Sequence, residues 1–234
     1  MKSQFLFERK EIKFVINENQ YNHFIKLIKN YIIEDNYKKS TIYNIYFDTS
    51  NDQLIRKSIE KPIYKEKLRL RSYTIINEEA NVFIELKKKY KETVYKRREK
   101  MSYCEAKKFL SNPIPYSQIT KEIAYFLSYY KNLQPRMFLY YDRDSYVSKD
   151  DKDLRITFDQ NIIYRNYDLK LENGIYGEKL LNDGTYIMEI KTNNALPLWL
   201  VKALSSEKIY KSSFSKYGKA YEAIRGGKKY GKLI

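Results

Sequence analysis

Cations recur at every second position in several separate stretches of this chain. Arg9, Glu11 and Lys13 alternate with Ile12 and Phe14, and Lys65, Lys67, Arg69 and Arg71 with Leu68 and Leu70. Glu85, Lys87 and Lys89 stand against Ile84 and Leu86, and Lys96, Arg98 and Lys100 follow around Val94. Further on, Arg143 shares its parity with Tyr141, Arg155 with Thr157, and Glu189 with Ile187 and Lys191. A spacing of two puts side chains on one face of a strand. Guanidinium forks and ammonium groups gathered on such faces suit charge-assisted hydrogen bonding to phosphate oxygens. Glu11, Glu85 and Glu189 read in one of two ways. They are salt-bridge partners that relieve repulsion, or hard oxygen ligands for Mg²⁺ or Mn²⁺, which takes one or two carboxylates and leaves the rest to water and phosphate.

Any one of these stretches reads most simply as a solvated basic face, because charged residues are mostly exposed. Recurrence across strands changes the balance. Like charges on neighbouring strands repel, and a unit pair at 4 Å interacts by ~4 kcal/mol at an effective dielectric of 20. An anionic ligand relieves that repulsion. If the strands close into a barrel, the polar faces line a lumen and the apolar faces meet helices outside.

Eight strands carry the alternation: Phe7 to Val15, Ser40 to Asp48, Lys65 to Tyr73, Val82 to Tyr90, Glu92 to Lys100, Arg136 to Tyr146, Asp153 to Phe158 and Tyr186 to Thr192. Asn161 to Tyr164 adds a short accessory strand. Helical spacing at Tyr21, Phe24, Ile25, Ile28 and Ile32 follows a capping-box arrangement of Asn17 and Gln20, and Ser102 with Glu105 opens a second helix through Leu110. Ile119 to Tyr130 forms a third after the Pro113 and Pro115 break, with further helical pieces at Leu198 to Leu204 and Ser215 to Arg225. Asn182, Asp183 and Gly184 signal a turn. Asp142, Asp144, Asp150, Asp151 and Asp153 flank a hairpin and read as turn residues rather than a metal site.

The chain has 234 residues, 43% of them hydrophobic, with 7 Gly and 5 Pro, enough for one sizeable core. The expected organisation is a single domain over 1–225 and a basic, loose tail over 226–234. Lys plus Arg outnumber Asp plus Glu by 45 to 29, for a net charge of +16, which attracts polyanions. No apolar run approaches the ~18 residues needed to span a bilayer, and no signal-type segment opens the chain. Cys104 is alone, which excludes an internal disulfide and fits a reducing, cytoplasmic compartment. A single histidine, His23, excludes a His-based metal site, and the absence of Gly-x-x-x-x-Gly-Lys and Gly-x-Gly-x-x-Gly excludes the P-loop and Rossmann routes to phosphate. Trp199, after Pro197, reads as a packing residue.

The ordered motifs carry a resemblance. Arg9-x-Glu11-x-Lys13-Phe14, Tyr46-Phe47-Asp48-Thr49, Leu68-Arg69-Leu70-Arg71, Glu85-Leu86-Lys87-x-Lys89 and Lys96-x-Arg98 resemble the tunnel strands of the VTC-type polyphosphate polymerases. Tyr141-x-Arg143, Leu154 to Asp159, Met188-Glu189-Ile190-Lys191 and Ser213 to Tyr217 resemble that family's later motifs, so nearly the whole chain is covered. The resemblance places the chain in the triphosphate tunnel metalloenzyme, CYTH-like, superfamily. It implies an α+β fold, an eight-stranded antiparallel β-barrel tunnel with a cationic lumen and helices packed outside. Glu189, Arg69, Arg71 and Lys216 are the implied catalytic residues. Arg9, Lys13, Arg69, Arg71, Lys87, Lys96, Arg98, Arg143, Arg155, Lys191 and Lys216 are the implied phosphate-binding set, to which Lys211, near the last motif but not aligned with it, is added. Glu189 is the implied metal ligand, with Glu11 and Glu85 as further candidates for Mn²⁺ or Mg²⁺. Arg9 replaces the first Glu of the related triphosphatases' Glu-x-Glu-x-Lys signature, which tilts the resemblance towards the polymerase branch. Better-known VTC proteins also carry a phosphate-sensing region and membrane helices. Neither is in these 234 residues, which leaves room for a separately encoded membrane partner.

The implied reaction moves the terminal phosphoryl of ATP or another triphosphate to a growing inorganic polyphosphate chain, a task of positioning and charge neutralisation. Two alternatives stand beside it. A triphosphatase of the same fold would hydrolyse inorganic or organic triphosphates. A protein binding polyanions or nucleic acid without catalysis would account for +16 and 25 Tyr. Zinc-finger spacing, an RNP-like aromatic motif and a helix-turn-helix are all missing, so sequence-specific nucleic-acid recognition is not expected.

Overall fold

The computed structural model describes residues 10–91 and 93–226. Ten strands form a single antiparallel sheet: β1 (Lys10–Asn17), β2 (Ile32–Asp48), β3 (Tyr64–Ser72), β4 (Asn81–Tyr90), β5 (Thr93–Ser102), β6 (Gln134–Ser148), β7 (Arg155–Arg165), β8 (Glu178–Lys179), β9 (Thr185–Thr192) and β10 (Lys211–Ser212). Their order is β10-β1-β9-β7-β6-β2-β3-β4-β5, with β8 beside β7. The helices are α1 (Glu18–Ile28), α2 (Gln53–Ile59), α3 (Tyr103–Ser111), α4 (Gln118–Tyr130), α5 (Leu198–Ser206) and α6 (Lys216–Ile224).

The expected eight-stranded closed barrel is corrected here, because the terminal strands β5 and β10 are not paired with each other. The sheet nevertheless curls strongly. Five strands lie between β1 and β4, about 29 Å in a flat sheet. Yet Lys87 of β4 reaches Glu11 of β1 at 3.6 Å. The polar parity of each strand therefore faces inward across a trough.

The outer parity is apolar and takes helices. Leu68, Leu70, Ile84, Leu86 and Val82 pack with Phe109 of α3 and Ile123 and Phe126 of α4. Phe14, Ile16, Ile156, Phe158 and Ile190 pack with Phe24 of α1 and Leu200 of α5. The expectation that the helices all pack outside is corrected for α2 and α6. Ile42, Tyr46, Leu139 and Tyr141 are apolar on the inner parity, and they bury Ile55 of α2 and Tyr217 and Ala220 of α6. One part of the trough is thus filled by these two helices, and the cationic part is left.

Both expected capping boxes form, Asn17 with Gln20 at α1 and Ser102 with Glu105 at α3. Helix α1 stops at Ile28, short of the expected Ile32, which instead begins β2 and is buried at its start. The strand expected over Asp153 to Phe158 and the accessory strand at Asn161 to Tyr164 are one continuous β7. Asp142 and Asp144 are strand residues, not turn residues, and Asp142 accepts from Tyr140 Oη at 2.7 Å and Asn161 Nδ2 at 2.9 Å. The turn at Asn182 to Gly184 is present, with Gly184 at φ 72° and Thr185 N donating to Asn182 O. Trp199 stacks on Tyr31 at 4.7 Å. The first part of the expected β1, including Arg9, the first residue of the expected β5, Glu92, and the tail beyond 226 lie outside the described residues. No described helix is long and apolar enough to cross a membrane.

Candidate active site

Register places the inward side chains in rows. Arg69 of β3 stands opposite Tyr46 of β2 and Glu85 of β4, and Glu85 in turn opposite Arg98 of β5. Glu85 is 1% exposed. Its Oε2 accepts from Arg69 Nε at 2.7 Å, and its Oε1 from Arg98 Nε at 2.6 Å and Lys96 Nζ at 2.8 Å. Arg71 Nε lies 3.9 Å away and donates to Asn44 Oδ1 at 2.9 Å. Burial opposes ionisation of Glu85, but Arg69, Arg71, Lys96 and Arg98 outweigh it and hold the carboxyl well below the usual range. Tyr73 Oη accepts from Arg98 at 2.7 Å, and Phe83 lies 4.4 Å beneath that guanidinium.

A second carboxylate organises the facing wall. Asp159 of β7, fully buried, accepts from Arg143 of β6 at 2.5 and 2.7 Å and from Lys216, the first residue of α6, at 2.5 Å. Tyr141 underlies both cations, at 5.4 Å from Arg143 and 4.6 Å from Lys216. Burial alone would raise its phenol, but Arg71, Arg143 and Lys216 lower it. Ser215 caps α6 by accepting from Gly218 N, and this cap turns Lys216 towards β7.

A third carboxylate, Glu189 of β9, faces Lys13 of β1 across the ladder. It lies 3.6 Å from Lys13, 3.3 Å from Lys191 and 3.7 Å from Arg143. Despite burial, Lys191 and Lys13 hold its pKa well down, and Glu11 contributes a hydrogen bond. Glu11 contacts Lys13 at 3.2 Å. Burial lowers Lys13, but Glu189 and Glu11 more than compensate and raise it. Burial pulls Lys87 down, and Glu11 only partly offsets that.

Lys13, Arg69, Arg71, Lys87, Lys96, Arg98, Arg143, Lys191 and Lys216 are thus brought together around Glu11, Glu85, Asp159 and Glu189. Arg155 shares their parity, opposite Lys191, but sits at the start of β7, 46% exposed and 3.3 Å from Asp35. Lys211 is not brought in. It pairs with Phe14, whose side chain is in the outer core, and is exposed on that outer side. Arg9 lies outside the described residues.

Sequence reasoning noted Lys67 on a cationic face and Asp159 within a motif but left both, with Tyr73, out of the candidate site. Asp159 continues the parity of Arg155 and Thr157, so its inward placement was legible. Its role as anchor of Lys216, 57 residues away, was not.

The three metal candidates divide. Glu85 does not fit as a ligand, because both its oxygens are taken by cations in a nearly closed environment. Glu189 and Glu11 fit better. They are neighbours diagonally across the β1–β9 ladder and share Lys13, and Thr157, opposite Glu189, holds a buried Oγ1 with no hydrogen-bond partner. Among the described residues no group of three or more His, Cys, Asp or Glu side chains is placed to hold a metal by itself. A pair of carboxylates completed by water and phosphate oxygens is an ordinary Mg²⁺ donor set.

The family model described as the VTC domain matches residues 8–225. Among solved structures, the fold is similar to a proposed adenylate cyclase from Bacillus halodurans, at 15% identity and a TM-score of 0.55, covering 89% of this chain and 96% of that one. It is also similar to a proposed adenylyl cyclase from Hippeastrum described as having a dominant triphosphatase activity. The identity is 15% and the TM-score 0.51, with 93% of this chain and 96% of that one covered. A comparison with curated protein sequences finds no match.

Proposed function

The chain belongs to the VTC domain family, and on that premise we propose that it is a metal-dependent phosphoryl transferase that moves the terminal phosphoryl of ATP or another triphosphate onto a growing inorganic polyphosphate chain. One observation carries the reading: cations from six strands and the start of α6 turn inward onto one trough, where the carboxylates are too few to neutralise them. A solvated basic face would point them outward.

In this reading Arg69, Arg71, Arg98 and Lys96 grip one part of the phosphate chain, and Arg143, Lys191, Lys13 and Lys216 another. Glu85 and Asp159 hold the guanidinium forks in place beforehand, so little reorganisation is needed when the substrate arrives. Glu189 with Glu11 would hold a Mg²⁺ or Mn²⁺ ion, which supplies further charge neutralisation at the phosphate oxygens. The nucleophile is a phosphate oxygen, and the protein's work is alignment and electrostatics.

A triphosphatase is the second reading, favoured by the activity described for the Hippeastrum neighbour. It would use the same cations with water as the nucleophile. Nucleic-acid binding is less well supported, since a duplex cannot enter a trough crossed by contacts such as Glu11 to Lys87 at 3.6 Å. Incubation with ATP and Mn²⁺, followed by gel detection of long polyphosphate and assay of free phosphate, tests the proposal. Polyphosphate supports transfer, stoichiometric free phosphate supports hydrolysis, and neither product would overturn both.

A further inference from the structure

The trough is unevenly compensated. At the level of Arg69 the carboxylate Glu85 neutralises its neighbours, but the next rows along β3 and β4 are lysine against lysine. Lys67 stands directly opposite Lys87, and Lys65 directly opposite Lys89. Direct opposition of like charges destabilises a sheet. Among the described residues, Glu11 is the one carboxylate in ion-pair contact with these four, through Lys87. Lys67 Nζ donates instead to Ser215 Oγ at 3.2 Å, and Lys65 Nζ to the Ser58 carbonyl at 3.4 Å, both neutral oxygens. From Arg69 to Lys65 the strand advances by about 13 Å. The lysine rows therefore extend the phosphate path beyond the arginine-lined part.

We propose that Lys65, Lys67 and Lys89 form a second anion subsite that holds the acceptor phosphate chain and so selects a phosphate oxygen, rather than water, as the nucleophile. The inference rests on the phosphoryl-transfer reading above. In the step it serves, a terminal oxygen of the held chain forms the new P–O bond with its own electron pair. The bridging P–O bond of the triphosphate breaks, and the diphosphate leaves with that bond's pair.

The electrostatics of Lys67 agree with this arrangement. Burial, then Lys87, Lys13, Lys65 and Arg69, pull its ammonium down to about 7. Those cations, Ser215 Oγ and the Tyr217 ring at 5.9 Å are its neighbours, so when an anion arrives Lys67 regains its charge by taking up a proton.

Titration calorimetry of the full chain with tripolyphosphate, and separately with linear polyphosphate several tens of phosphates long, provides the test. The wild type is expected to prefer the longer chain. Lys65→Met, Lys67→Met and Lys89→Met together should lower affinity for it by about tenfold or more while leaving tripolyphosphate binding near the wild-type value. Lys67→Met alone should reduce proton uptake, read as the buffer dependence of the binding heat; Lys96, whose ammonium burial also pulls down to about 7, accounts for the uptake that remains. Lys67→Arg, which keeps the charge, should retain the preference. Equal loss for both ligands, no loss for either, or unchanged proton uptake in Lys67→Met would overturn the subsite. Absence of ATP turnover in the wild type would instead count against the phosphoryl-transfer reading, because chain-selective binding is measured without it.

Discussion

Replacing Glu85 by Gln removes one negative charge and almost no volume from the centre of the cationic wall. The carboxylate is 1% exposed and accepts from Arg69 at 2.6 and 2.7 Å, Arg98 at 2.5 and 2.6 Å and Lys96 at 2.8 Å. Each of those pairs is strongly attractive before desolvation, and desolvation offsets most of the attraction. What remains when a buried partner is removed is the cost of the stranded charges, about 3–5 kcal/mol. For a chain of this size that is a fall in Tm of roughly 6–20 °C. The same change leaves the cations freer to bind an anion. Tripolyphosphate at about 100 times its Kd stabilises by ~2.7 kcal/mol, and the Glu85→Gln variant should show a larger thermal shift than the wild type at the same concentration. Differential scanning calorimetry with and without tripolyphosphate reads both effects. A variant that melts within a few degrees of the wild type, or gains no more from tripolyphosphate, would refute the view that Glu85 is the internal counter-ion of an anion site.

Three further outcomes follow from the same geometry. Alanine at Glu189 should abolish Mn²⁺-dependent turnover of ATP with the circular dichroism spectrum unchanged, and retained turnover would remove its role at the metal. The depressed Lys67 ammonium, about 7 when folded against an ordinary unfolded value of 10.5, means that the unfolded chain binds the extra proton between those limits. This lysine therefore makes the empty protein more stable as pH rises from about 7, and Lys67→Met should flatten that rise in a urea-denaturation series. Asp48 accepts from the backbone N–H groups of Thr49, Leu54 and Ile55 and from Tyr217 Oη, so Asp48→Ala should destabilise by about 3–5 kcal/mol in the same assay.

That last cluster marks a limit of the sequence. Tyr46-Phe47-Asp48-Thr49 was recognisable as a motif, but its chemistry there is structural: Asp48 ties the end of β2 to α2 and to α6, 169 residues away in the case of Tyr217. Alternation located most of the long strands and the faces their side chains share, because the period of two is a local property of extended backbone, but it missed residues 32–39, the first half of β2. The capping boxes at Asn17 and Ser102 were legible for the same reason, each being complete within four residues. The two-residue strands β8 and β10 and the short helix α2 escaped, since segments so short carry no period.

The sequence alone thus determined which side chains share a face, that the charge on those faces is mostly positive, and that the faces recur in an order resembling one family. Only the tertiary structure decided how far the sheet curls without closing, that Asp159 anchors Lys216, that Arg69, Lys96 and Arg98 converge on Glu85, and that Lys211 lies on the outer side. These are relations between residues tens to hundreds of positions apart. Strand order and curvature set them, and neither is encoded in any local spacing.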